Sequence, residues 1–262
     1  MRSPLKDNTN SIKSLSVIKG LIPIDSHVNT SGIYSGNLEL NLASDQRIVT
    51  ANTYSYLVYE FWKTIIDDAP LVADVAAQLS PIENEKVFQC WQEAWPWYKD
   101  SQLRSAIYFL LNRYSSQYLS ASGEFTPNQF DPHAITQLSK FKTDKVPFSI
   151  NWHAPPHFSI LLKRIAEDTK KRPNSYCLLS MGKYIHDYYS DVNPSAYDIE
   201  VRNHKEVYSI LSQNEDIRWI VCYKRSKAIA EIYKKYNITL ADKYGKSVDT
   251  YELCEEMIIA NY

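Results

Sequence analysis

Glycine is scarce in this sequence, with 6 in 262 residues. Nucleotide-binding enzymes place glycine where backbone must approach the cofactor closely, and few positions here offer that. Closely spaced cysteine is also missing. Cys90, Cys177, Cys222 and Cys254 are far apart and form no C-x-x-C pair. That argues against a zinc site and a disulfide framework, and it fits a reducing compartment. Cys177 and Cys222 lie in apolar runs and read as buried hydrophobes. Charge of one sign is not in excess: 29 Lys and Arg meet 30 Asp and Glu, for a net charge of −1. No global field drives the chain onto nucleic acid or an anionic membrane. Only "KKR" (170–172) and "YKRSK" (223–227) are locally basic. No run approaches the ~20 apolar residues that span a bilayer. The opening "MRSPLKDNTNSIKSLSV" has no apolar core, so it does not read as a signal peptide. The expectation is a cytoplasmic protein without membrane or metal.

What is present is a hydrophobic fraction of 44% and 20 Tyr, enough for a sizeable core. "GLIPIDSHV" (20–28) reads as a short strand entering a polar loop, and "QRIVTAN" (46–52) as a second strand. "TYSYLVYEFWKTIIDDA" (53–69) has helical spacing of its apolar residues. Residues 70–145 are mostly helical in pattern, with "SASGEFTPNQFDP" (120–132) a turn-rich loop. Strand and helix alternate again afterwards: helix 159–171, strand 175–181, helix 203–214, strand 217–224 and helix 226–237. The economical reading is an α/β core, residues 1–69 and 146–262, carrying a helical insert at 70–145.

Some of these segments resemble a known family. "RSAIYFLLNRYSSQYLSASGEFTP" (104–127) is similar to the Leu-Asn-Arg…Gly-Glu-Phe segment of Dam-type DNA adenine methyltransferases. "HAITQLSKFKTDKVPFSI" (133–150) continues as that family does, particularly in its phage-borne branch. "IRWIVCYKRSKAIAEIYKKYNIT" (217–239) resembles its late strand and helix. The resemblance covers roughly the whole chain in order and spacing. It implies a Rossmann-like methyltransferase sheet flanked by helices, with the insert in the place of a target-recognition domain. It also implies transfer of a methyl group from S-adenosylmethionine to the adenine amine of DNA.

The four local features that carry this chemistry in the family are degenerate here. Thr9 and Asn10 stand where a Trp-Ala-Gly-Gly-Lys loop has its glycines. In "DSHVNTSG" (25–32) the acid is kept as Asp25, but Asn29 and Ser31 replace the glycines of the cofactor turn, and Gly32 falls one position late. Asn52 replaces the acid that bonds the ribose hydroxyls, and a neutral amide makes a weaker bond than a carboxylate. The Asp-Pro-Pro-Tyr tetrapeptide, which orients the amine and stacks on the flipped base, must follow a buried strand at its C-terminal end. Its place is Ser180, Met181, Gly182 and Lys183. "HAPPHF" (153–158) is a decoy: it precedes a helix, where proline is favoured.

The remaining candidates have plainer readings. His153 and His157 lack a Cys, Asp or Glu cluster at metal-ligand spacing. Asp25, His27 and Ser31 read as a polar loop rather than a triad. Asn112-Arg113 reads first as a brace of the insert and second as a DNA contact. The recognition loop 115–129 has no Lys or Arg, so duplex DNA could be held only by Arg113, Lys140, Lys142 and Lys145, weakly and in a salt-sensitive way. The expected function is that of a catalytically inactive methyltransferase-like protein, without cofactor, that works by binding, chiefly to protein. Two alternatives stand beside it: an active but divergent S-adenosylmethionine-dependent adenine methyltransferase, and a structural component of a virus particle.

Overall fold

The computed structural model describes residues 1–6, 13–118, 120, 123–154, 157–182 and 203–262. The chain runs α1 (Leu15–Leu21), β1 (His27–Ser31), α2 (Asn37–Ala43), β2 (Ile48–Thr53), α3 (Tyr56–Leu79), α4 (Glu85–Ala94), α5 (Ser101–Tyr114) and α6 (His133–Ser139). It continues with β3 (Phe148–Trp152), α7 (Phe158–Lys170), β4 (Ser175–Gly182), α8 (His204–Ser212), β5 (Arg218–Lys224), α9 (Lys227–Ile232), β6 (Asn237–Ala241), β7 (Ser247–Val248) and β8 (Glu256–Ala260). Polar side chains cap the starts of α3, α4, α5, α8 and α9. Ser55 accepts from Val58 N–H, Asn84 from Lys86 and Val87, Asp100 from Leu103, and Ser226 from Ile229.

The strands form one eight-stranded sheet in the order β3-β2-β1-β4-β5-β8-β6-β7. The first five in that order are mutually parallel. β8 is antiparallel to both β5 and β6. Helices flank this mostly parallel sheet, so the fold is the Rossmann-like α/β class that the strand–helix rhythm predicts. Alternation along the strands explains the two layers. Cys177, Leu179, Met181, Trp219, Val221 and Tyr223 pack with α7 and α8. Tyr176, Leu178, Ile220 and Cys222 pack with α1 and α2. Both central cysteines are thus buried apolar contacts. Burial pushes the Cys177 thiol up to about 12.

Three sequence expectations are revised or refined. The first strand is β1, which begins at His27; residues 15–21 of the preceding stretch are helical. The helix expected over 53–69 breaks at Asp68 as its sequence suggests, and a second helical stretch follows it to Leu79 within α3. Asp68 leaves helical geometry (φ −154°, ψ 73°) and its carboxylate accepts from Leu71 N–H, restarting the helix with Pro70 in its first turn. The boundary drawn at 69/70 lies at this kink within α3. α3, α5 and α6 share a continuous core with Ile33, Leu40 and Ala51 of the sheet side. The Arg104 guanidinium on α5 grips the Glu60 carboxylate on α3, with Nε 2.6 Å from Oε2. The third correction is at the C-terminus, where residues 237–260 form three strands that the pattern did not reveal. Among the described residues, no helix is long and apolar enough to cross a membrane.

Candidate functional site

Open α/β sheets bind ligands beyond the carboxyl ends of their strands, where the strand order reverses. Here that point lies between β1 and β4. It is built from the turn after β1, the end of β2 and the end of β4.

The turn after β1 is Gly32-Ile33-Tyr34-Ser35-Gly36, not the segment centred on Asn29. Gly32 and Gly36 both have positive φ (74° and 68°), which only glycine adopts freely. Asn29 lies within β1 and is buried; its Nδ2 donates to Thr169 Oγ1 (3.1 Å) and Ser175 Oγ (3.3 Å). Ser31 is the last residue of β1, and its buried hydroxyl has no hydrogen-bond partner among the described residues. Asp25 is exposed and precedes β1, at the opposite edge of the sheet from the crevice. The expected placement of Asp25, Asn29 and Ser31 on a cofactor turn is therefore corrected. The strand, His27–Ser31, starts seven residues after the start of the 20–28 stretch and ends three residues beyond it.

Gly36 of the true turn faces protein. A Cβ on Gly36 would stand 2.4 Å from Cζ2 of Trp62, which is fully buried on α3. Trp62 Nε1–H donates to the Tyr34 carbonyl (3.2 Å), and the Tyr34 hydroxyl donates to the Tyr118 carbonyl (2.7 Å). The turn is clamped from below by an indole and from the side by α5's following loop.

Asn52, at the ribose-acid position, is 3% exposed. Its Nδ2 donates to the carbonyls of Thr30 and Thr50, both at 3.1 Å. Its Oδ1 lies 2.9 Å from His153 Nε2. Both amide protons are engaged by carbonyls, so Oδ1 is the acceptor and the proton sits on His153 Nε2. Burial, with the Arg164 charge, holds His153 below its usual value, which keeps it the neutral donor this bond needs. The Asn52 amide is turned into the sheet, and its geometry does not fit a ribose contact.

At the end of β4, the β4–β5 register shifts between Ser180 and Gly182. Met181 packs in the core with α7 and α8, and Ser180 is partly exposed. No carboxylate stands at this position. Lys183, Thr9 and Asn10 lie outside the described residues, as do Pro155 and Pro156. His157 is the N-cap residue of α7, which starts at Phe158. Among the described residues, no three His, Cys, Asp or Glu side chains gather where they could hold a metal ion.

The four expected DNA-binding cations are not equivalent. Arg113 is 4% exposed and acts as the brace of its first reading: it donates to the Pro4 carbonyl, and its guanidinium lies 5.5 Å from the Phe109 ring centre. Asn112, beside it, exchanges bonds with Lys6 N–H (2.9 Å) and the Lys6 carbonyl (3.1 Å). Lys140, Lys142 and Lys145 are exposed. Residues 1–6 are thereby pinned along α5, and a cleft of about 560 Å³ opens beside them, lined by Arg2, Lys6, Arg113, Tyr118 and Asp131 among others. The sequence reading missed Arg2, Lys6 and Tyr118, because their neighbourhood depends on long-range packing. It also missed Gly36, although its spacing from Gly32 was a usable signal. No protein-family model matches this chain, and comparison with curated proteins gives no match either.

Proposed function

We propose that this protein is a catalytically inactive, methyltransferase-like scaffold that works by binding. The observation that carries this reading is Asn52, whose amide is committed to Thr30, Thr50 and His153. Two further features support it. The indole of Trp62 fills the space beneath Gly36, and Ser180-Met181-Gly182 offers no carboxylate to orient an adenine amine. The Rossmann-like sheet, with five parallel strands and an antiparallel strand beyond β5, is the scaffold this reading requires. A fold of this kind hosts many functions, and the site decides among them.

The partner in this reading is a protein in the cytoplasm, or in the virion if the chain is phage-encoded. Exposed aromatics suit such contacts. Trp97 is 66% exposed, and Trp152 packs edge-on against Tyr56 at 5.2 Å on the surface. Duplex DNA is expected to bind at most weakly, since residues 115–129 carry no Lys or Arg. Incubation with labelled S-adenosylmethionine and unmethylated duplex DNA tests the reading. No label is expected in the DNA; steady incorporation by purified protein would return it to the active enzymes.

A further inference from the structure

Arg113 is a buried cation that bonds no carboxylate among the described residues. One terminal nitrogen is taken by the Pro4 carbonyl. Its Nε is buried and has no hydrogen-bond partner among the described residues. Burial lowers its pKa to about 10, against the pull of Asp131 and Tyr118, so it is still charged at neutral pH. A buried charge left unpaired is costly, and every guanidinium N–H seeks an acceptor.

Arg113 lines the 560 Å³ cleft together with Arg2 and Lys6, and Asp131 is the one acid on that wall. An adjoining cleft of about 320 Å³ shares Arg2 and adds Lys140 and Lys142. Among the described residues, none of Arg2, Lys6, Lys140 and Lys142 makes an ion pair. The elsewhere balanced charge of the chain is therefore locally positive here, with the largely buried Arg113 guanidinium as part of the wall.

We propose that this cleft binds a phosphate group, with Arg113 as the inner donor and Arg2 and Lys6 as the outer cations. Phosphate suits the arrangement better than a carboxylate. Its several oxygens accept from separated cations at once, and bonds to ionised donors are the strong ones. The volume suits a small ligand, whose usual pockets span about 300–1,000 Å³. On the same wall the Lys6 ammonium lies 5.2 Å from the centre of the Tyr118 ring, which holds that cation at the cleft. The phosphate comes from a free nucleotide or from a nucleic-acid backbone. The proposal does not depend on the methyltransferase reading.

The test is titration of the whole chain at low salt with pyrophosphate, with adenosine diphosphate and with a short DNA duplex. Calorimetry gives affinity, and the Arg113 Nε–H resonance, assigned through Arg113→Lys, reports on the inner donor. The expected result is saturable binding of at least one probe, a shift of that resonance, and roughly tenfold or greater weakening in the Arg2→Ala/Lys6→Ala double variant. Arg2 is exposed and Lys6 only partly buried, so that variant keeps the fold even where Arg113→Lys fails to. Binding of pyrophosphate or the nucleotide assigns a small ligand; binding of the duplex alone, with the same two effects, assigns a polynucleotide. No binding of any probe at millimolar concentration overturns the proposal. So does binding that neither the double variant nor the resonance registers.

Discussion

Asn52 Oδ1 and His153 Nε2 meet at 2.9 Å, joining the end of β2 to the residue that follows β3. The pair seals the sheet where the family resemblance puts a ribose-binding acid. Restoring the acid should therefore not restore the cofactor. In Asn52→Asp, two donated bonds to Thr30 and Thr50 become carboxylate–carbonyl contacts. The expected cost is about 1–3 kcal/mol, measured by urea unfolding, with no rise in melting temperature on adding S-adenosylmethionine.

His153 should also leave a mark on the pH dependence of stability. Burial holds its native pKa below the ordinary 6.5, with Arg164 adding to the effect. Below that value the unfolded chain takes up a proton that the native state resists. The contribution is whole above pH 6.5 and is lost as pH falls towards the native value. His153→Gln should flatten the stability curve in that window. Parallel curves for the two proteins would remove His153 from the account.

Gly36→Ala should destabilise by two routes, a left-handed backbone at φ 68° and a methyl driven into the Trp62 ring. Together they are expected to cost about 2–4 kcal/mol. A smaller partner, Trp62→Leu, should make the second route milder. A double-mutant cycle should give a coupling of about 0.5–3 kcal/mol, and strict additivity would contradict the contact.

These sites show what the sequence made legible. β2, β4 and β5 carry apolar runs or alternation, and α5 carries a helix-forming run, buried without a gap from Ser105 to Tyr114; all were readable locally. β1 was not, because Asn29, Thr30 and Ser31 are buried in the sheet despite being polar. Its identity as a strand comes from ladders to β2 and β4 far along the chain. β6 and β8 were missed for a similar reason: their pairing is tertiary, while Ile238 and Met257–Ile259 alone fit several patterns. At the site, residue types were legible but placement was not. Asn52 was rightly singled out, yet nothing local to it announces His153, about a hundred positions away.

The Glu60–Arg104 pair ties α3 to α5 through two bonds, with both side chains largely buried. Glu60→Ala should cost about 1–3 kcal/mol, because Arg104 loses its acceptor while staying sheltered. The double variant Glu60→Ala/Arg104→Ala should cost less than the sum of the singles, by denaturant unfolding. A fully additive result would mean that the helices are held by apolar packing alone.

The central claim is that the crevice between β1 and β4 belongs to a scaffold without its cofactor. Calorimetric titration of the purified protein with S-adenosylmethionine tests this most directly. The account predicts no heat of binding up to millimolar ligand. Saturable binding with a micromolar Kd, about −8.2 kcal/mol, would contradict it.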